Sequence, residues 1–323
     1  RTSPFLAPLL AIGLAAASLG AAAQADRYPS KPVKIIVAYP PGSATDVAAR
    51  RVAAKLTTDL GQSFFVENRP GAFGNIGGEV ASQAPKDGYT LFAGTTSEMV
   101  INKPGGMKMR FDPARDFTPI ALLFTSQPVL VASNASKFST VADLVTAAKA
   151  RPGTVNWSQV NAFQQVVLSA FEKAAGVRLN IIPYKGTALA MNDVLGGQID
   201  GMVGYPAEAM AQVSAGKAKA LALGGAQRNA FMPGTPTLGE AGYPLDLVVW
   251  GAFFAPAGTP QAIVEQVNRA VLAANRQADI KEALAKTGSD VQLYSVPEFT
   301  NFMNAEYAKW DRVVKEGNIK LTE

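Results

Sequence analysis

The sequence predicts an α/β protein built as two lobes with a cleft between them, and three observations predict it. Short apolar runs alternate with amphipathic helical runs from Val33 onward, the pattern of sheets covered by helices on both faces. The alternation comes in two blocks, one ending at Phe124 and one running from Val129 to Leu223. Polar Gly/Ser/Thr loops follow the strands, at the carboxyl ends where ligands settle in such sheets. Parallel sheets are the expected form, with the loops of the two blocks facing each other.

Taken in order, Val33–Tyr39 reads as a strand and 45–60 as an amphipathic helix, with Val47, Val52, Leu56 and Leu60 near one face. Gly61 ends that helix as a left-handed cap would. A short strand at 63–67 leads to the turn-rich stretch 68–74 and a helix at 76–84, closed by Pro85, Asp87 and Gly88. Strands follow at 89–94 and 117–124. In the second block the strands are 129–132, 155–157, 179–183, 199–203 and 218–223, and the helices 141–150, 162–175, 188–195 and 207–215. Gly153 and Gly176 close the first two of those helices. An apolar strand at 247–254 and helices at 261–278 and 297–316 complete the chain.

Ahead of all this, Arg1 precedes an apolar run from Phe5 to Ala23, and Ala23-Gln24-Ala25 has the small-x-small form of a cleavage site. Residues 1–25 are read as a secretory signal, with cleavage after Ala25 and a soluble, exported product. About 300 residues remain, enough for two domains with their own cores. The sequence has neither Cys nor His. That removes disulfides, thiolate chemistry, the commonest general base and the commonest zinc ligand. Lys and Arg number 30 against 25 Asp and Glu, a formal charge of +5, and they are scattered. No basic stripe suited to nucleic acid results.

The most informative segment is Pro40-Pro41-Gly42-Ser43-Ala44-Thr45-Asp46, a loop between a strand and a helix start. The first N–H groups of a helix lack internal partners and carry the positive end of its dipole, so Gly42, Ser43, Ala44, Thr45 and Asp46 can cradle a carboxylate or phosphate. Ser43 also suits a helix cap, with Asp46 closing a capping box. Thr95, Thr96 and Ser97 lie at another strand end, as do Ser158, Gln159 and Asn161, then Lys185 beside Tyr184, and Tyr205 beside Gly204. These loops are expected to line the cleft. An exported protein with such a cleft suggests capture of a small solute.

At these residues the chain resembles a known family, the tripartite tricarboxylate transporter substrate-binding receptors, or Bug proteins. The resemblance runs through nearly the whole mature chain. It is carried by Tyr28-Pro29-Ser30-Lys31-Pro32, by Pro40-Pro41-Gly42 with Thr45-Asp46, by Val66-Glu67-Asn68-Arg69-Pro70-Gly71-Ala72, and by Gly74-Asn75-Ile76-Gly77. It continues in Pro85-Lys86-Asp87-Gly88-Tyr89-Thr90-Leu91, Pro183-Tyr184-Lys185-Gly186, Leu195-Gly196-Gly197-Gln198-Ile199-Asp200, Glu240-Ala241-Gly242 and Ala255-Pro256-Ala257-Gly258-Thr259-Pro260. The resemblance implies a type II-like periplasmic-binding-protein fold: lobe 1 from 26–124 and 225–323, lobe 2 from 125–224, closing on a small carboxylate. It further implies that Gly42 to Asp46 with Thr95, Thr96 and Ser97 hold one ligand carboxylate. Its implied partners are the membrane subunits of a tripartite transporter; a monomer without a cofactor is expected.

The chain departs from the family pattern where selectivity is set. Gly42-Ser43-Ala44 replaces a run of glycines, and Trp157 to Gln165 replaces a Gly/Ser-rich loop followed by a His. Gly204 and Tyr205 stand at a position that is usually acidic, and Glu98 where a small hydroxyl residue is more common.

Individual residues carry two readings each. Glu98 is either an exposed first-turn glutamate or a partner for a ligand amine. Trp157, Phe163 and Tyr205 are core, or stack on an aromatic acid. Lys185 is solvated, or meets a second carboxylate. Asn75 reads as a helix cap. Ser214-Ala215-Gly216-Lys217 and Lys286-Thr287-Gly288 fit two motifs of serine penicillin-interacting enzymes. Ser214, however, falls at a helix end and no S-D-N lies between, so the match is read as coincidence and the protein as a receptor rather than an enzyme. A membrane sensor kinase is the alternative partner for the closed form.

Overall fold

The computed structural model describes residues 28–321, so the expected signal segment lies outside the described residues. Ten strands are described: β1 (Val33–Val37), β2 (Phe64–Asn68), β3 (Thr90–Thr95), β4 (Phe117–Ser126), β5 (Val129–Ser133), β6 (Asn156–Gln159), β7 (Asn180–Pro183), β8 (Gly201–Gly204), β9 (Ala218–Leu223) and β10 (Val249–Pro256). The helices are α1 (Ala44–Leu60), α2 (Asn75–Ser82), α3 (Pro113–Asp116), α4 (Val141–Ala150), α5 (Ala162–Ala175), α6 (Thr187–Leu195), α7 (Pro206–Ser214), α8 (Gln261–Asn275), α9 (Ala278–Ala285) and α10 (Val296–Gly317). A single wide turn of helix occupies Ser97–Ile101.

The strands form two five-stranded sheets, ordered β2-β1-β3-β10-β4 and β7-β6-β8-β5-β9. Each is the core of an α/β lobe. The sheets are mixed rather than wholly parallel: β10 runs antiparallel to β3 and β4, and β5 antiparallel to β8 and β9. The physical reason lies in the connections. A parallel neighbour needs a helical crossover, whereas β5 is entered from β4, in the other sheet, through two residues and no helix. Each antiparallel strand thus fills the slot before the last strand of its sheet, just after the chain changes lobe.

Cap chemistry sets the helix ends. Ser43 caps α1, and Gly61 closes it in the left-handed region at φ 70°. Thr140 and Asp143 make a reciprocal capping box at α4. The expected helix 261–278 is α8, which ends at Asn275, and a further helix that the sequence reading did not expect, α9, follows after Arg276 and Gln277.

Three apolar clusters hold the layers. One packs Ile35, Val52, Leu56, Phe253 and Val267 on one face of the first sheet, beneath α1 and α8. A second takes the other face through Ile36, Phe92, Phe254 and Phe299 and continues into lobe 2 through Trp310, Phe163 and Val166. The third places Val129, Val131 and Met202 against α6 and α7. Each such side chain, fully buried, contributes about 1.5–3 kcal/mol of transfer free energy.

Candidate functional site

In each sheet the chain leaves its first parallel strand, β1 or β6, in one direction and returns on that strand's other side. The switch points lie between β1 and β3 and between β6 and β8. Loops beyond the carboxyl ends of those strands border a crevice in open α/β sheets. The residues expected from sequence, Lys185 apart, sit at these two places.

In the first lobe, Gly42 takes φ 85°, a conformation costly for a residue with a Cβ. Its N–H donates to Asp46 Oδ2 at 2.9 Å. Ser43 Oγ accepts from the Asp46 N–H at 3.3 Å, and the Ser43 N–H reaches the Pro40 carbonyl at 3.2 Å. Among the described residues, no acceptor pairs with the N–H of Ala44 or Thr45. These two donors are what the cradle offers an anion. Asp46 is a brace rather than a wall: it is buried, and its carboxylate also accepts from Arg50 Nε at 3.0 Å and Asn68 Nδ2 at 2.8 Å. Burial raises its pKa, but the hydrogen bonds from Arg50, Gly42 and Asn68 outweigh that and hold it below the usual carboxylate value.

The loop after β3 is organised by Glu98. The expectation of an exposed first-turn glutamate is overturned: Glu98 is fully buried. Thr95 gives it the backbone N–H at 2.6 Å and the hydroxyl at 2.7 Å, and Tyr39 donates its hydroxyl at 2.9 Å. Burial pushes the carboxyl up to about 7, with the hydrogen bonds from Thr95 and Tyr39 pulling the other way. Burial and the neighbouring Glu98 charge drive the Tyr39 hydroxyl well above its ordinary value. Thr96 is engaged elsewhere: its hydroxyl accepts from the Trp250 N–H at 2.9 Å. Ser97 is buried, and its N–H meets Thr95 Oγ1 at 3.3 Å. Asn75 does not cap its helix. Gly74 takes the cap position, and the Asn75 side chain accepts from Asn102 at 2.8 Å.

In the second lobe, Ser158 and Gln159 belong to β6 itself, paired with Ile182 and Pro183 of β7. Both are buried, and among the described residues Ser158 Oγ and Gln159 Oε1 have no hydrogen-bond partner. Asn161 caps α5 by accepting from the Gln164 N–H at 2.9 Å. Gln164, which sequence reasoning passed over, locks this corner: its Oε1 accepts from Val160 N–H at 2.7 Å and its Nε2 donates to the Val203 carbonyl at 3.0 Å. The spacing Asn161-x-x-Gln164 is the signal that could have found it. Tyr205 stands at the end of β8 with Asn161 and Gln164 beside its hydroxyl, whose pKa burial raises. Glu208 was also missed. Its Oε1 accepts from the Tyr205 N–H at 2.9 Å and lies 3.2 Å from where a Gly204 Cβ would stand. An acidic group is therefore present beside that strand end, supplied one helical turn later.

Trp157 and Phe163 are core residues. The Trp157 ring lies 6.3 Å from Phe138 at 26°, and Phe163 meets Trp310 edge-on at 5.7 Å. Lys185 is exposed at the end of β7, beyond the switch point. The first turn of α5 and the Ser97–Ile101 turn belong to one contiguous packing between the lobes. A cavity of about 930 Å³ lies beside the crossover segments, lined by Gln127, Asn229, Phe231, Trp250, Gln292 and Lys309. It holds none of the predicted site residues.

Two lobes, each with a mixed five-stranded sheet, and polar loops at both switch points define a periplasmic solute-binding protein. The model of the tripartite tricarboxylate transporter family receptor matches residues 48–319, and the chain belongs to that family. It is 32% identical over 321 residues to the protein BugT of Bordetella pertussis, covering 98% of each chain. An adipate-bound protein of R. palustris is 29% identical with a TM-score of 0.82, over 91% of this chain and 99% of that one. The malate-bound MatC of Rhodopseudomonas palustris is 27% identical with a TM-score of 0.81, over 89% and 100%. Family and fold are those of substrate-binding proteins, not enzymes. Among the described residues, no helix is long and apolar enough to cross a membrane.

Proposed function

We propose that the protein captures a small carboxylate-bearing solute between lobe 1 (26–124 with 225–323) and lobe 2 (125–224). It then delivers that solute to the membrane subunits of a tripartite tricarboxylate-type transporter. The observation that carries this reading is the pair of buried, unpartnered atoms at the end of β6, Ser158 Oγ and Gln159 Oε1. A buried polar atom left unpaired costs about 1–3 kcal/mol, which a bound solute would recover. The free N–H groups of Ala44 and Thr45, at the positive end of α1, suit its carboxylate without any Lys or Arg. Asn161 and Tyr205 complete the polar wall. Adipate and malate in two relatives support a carboxylate as the ligand class. Contacts that need both lobes bias the closed form, and the membrane partner reads that form. Export follows from the leader at 1–25, removed after Ala25.

A thermal-shift panel on residues 26–323 tests this. It holds di- and tricarboxylates, amino acids and aromatic acids. A ligand at about a hundred times its dissociation constant adds about 2.7 kcal/mol and raises the midpoint by several degrees. A rise confined to carboxylates supports the reading. No rise with any of them, together with no retained solute in the mass spectrum of a denatured extract, overturns it.

A further inference from the structure

Helix α10 packs along lobe 1, with Phe299 and Met303 in the cluster that holds Phe92 and Phe254. Its far end reaches lobe 2. Trp310 meets Phe163 of α5, Gln165 donates to the Lys320 carbonyl at 3.0 Å, and Lys173 donates to the Glu316 carbonyl. Midway stands Glu306, 6% exposed. Its Oε2 accepts two indole N–H bonds, from Trp250 at 2.7 Å and from Trp310 at 2.8 Å, while Oε1 faces Lys309 Nζ at 3.4 Å. The backbone N–H of Trp250 in turn donates to Thr96 Oγ1 at 2.9 Å. Direct contacts therefore run Thr96, Trp250, Glu306, Trp310, Phe163, from the ligand loop of one lobe to the first turn of the helix that Asn161 caps in the other. Packing alone would be met by an apolar residue at position 306, since a buried carboxylate is costly unless fully paired. A two-indole acceptor instead fixes the orientation of both rings.

We propose that α10 is an interlobe clasp, with Glu306 as the positioning residue that holds β10 and α5 in register and biases the protein toward the closed form before ligand arrives. This rests on the two-lobed receptor reading, and its test needs no ligand, so failure to find a solute leaves the clasp standing or falling on its own.

The chain has no native Cys, so Ala54→Cys on α1 with Ala188→Cys on α6, both exposed, report a single interlobe distance through spin labels. In that background Glu306→Gln keeps an oxygen for both indoles and retains the parent distribution. Glu306→Leu leaves two indole N–H groups without an acceptor, and the ratio of closed to open population falls by about tenfold. In nitrogen-resolved spectra the indole N–H signals of Trp250 and Trp310 move in Glu306→Leu while that of Trp157 stays. A folded Glu306→Leu variant with the parent distance distribution overturns the proposal. Should that variant fail to fold, Trp310→Phe decides: it keeps a ring against Phe163, removes one donor, and must broaden the distribution for the clasp to stand.

Discussion

Glu98 shows how far a single side chain can sit from its sequence appearance. Thr95-Thr96-Ser97-Glu98 looks like a hydroxyl-rich helix start with an acidic first turn. The turn that forms is wider, closing with Asn102 N–H on the Ser97 carbonyl at 2.8 Å, and it swings Glu98 inward beneath Thr95 and Tyr39. Nothing in local spacing signals an i to i+5 turn. The consequence is a pH dependence with a definite sign. Folding raises the Glu98 pKa from its ordinary 4.5 to about 7. Stability linked to the protonated carboxyl is full below 4.5 and is lost as pH rises to about 7, on the order of 3 kcal/mol in all. Glu98→Gln, which preserves an acceptor for the Thr95 N–H, is expected to abolish that slope and to melt higher than the parent at pH 8. Parallel stability profiles for the two proteins, from urea titrations between pH 4.5 and 8, would refute the assignment.

At the scale of elements, legibility followed cap chemistry. Helices α4 and α5 fall where Thr140, Asn161 and Gly176 place them. Helix α9, set off from α8 by Arg276 and Gln277 with no Gly or Pro, was not legible. Ser158 and Gln159 read as loop because they are polar, yet ladder pairing with β7 draws them into β6. That misplacement is itself informative: polar residues forced into a buried strand end are the unpartnered atoms of the proposed site. The β1–α1 loop was legible in its residues but not in its division of labour. Asp46 holds the loop, with Gly42, Arg50 and Asn68 as its partners, while Ala44 and Thr45 keep free donors. Asp46→Ala removes the acceptor for the Gly42 N–H and one of the two acceptors of half-buried Asn68 Nδ2, at a cost of about 2 kcal/mol. It also weakens solute binding by loosening the cradle. The carboxylate's depressed pKa means this stability is present above the ordinary carboxylate value and fades as pH falls through the lowered one. Urea denaturation and calorimetry check both effects; unchanged stability at pH 7 removes the brace.

At the scale of the molecule, the two-block alternation resolves into a closer internal likeness. The five strands of each sheet correspond in order, β1, β2, β3, β10 and β4 with β6, β7, β8, β5 and β9. Strand-to-helix alternation made the α/β class and the two blocks legible. It could not reveal the antiparallel strands, because an apolar run carries no direction. The topology is unequal in one respect that can be tested. All five strands of the second sheet lie between Val129 and Leu223, whereas β10, interior to the first sheet, arrives only after that block. A fragment of residues 127–225 therefore contains its whole sheet, with the α5 face that Trp310 covers left open. It is expected to unfold cooperatively by circular dichroism. Residues 26–126 lack the strand that joins β3 to β4, leaving two interior edges without backbone partners, which a folded lobe does not tolerate. They are expected to remain without a cooperative transition until residues 225–323 are added in equal amount. Cooperative folding of 26–126 alone would show that β10 is dispensable to lobe 1, and with it the view that each lobe is completed by the strand that follows a crossing.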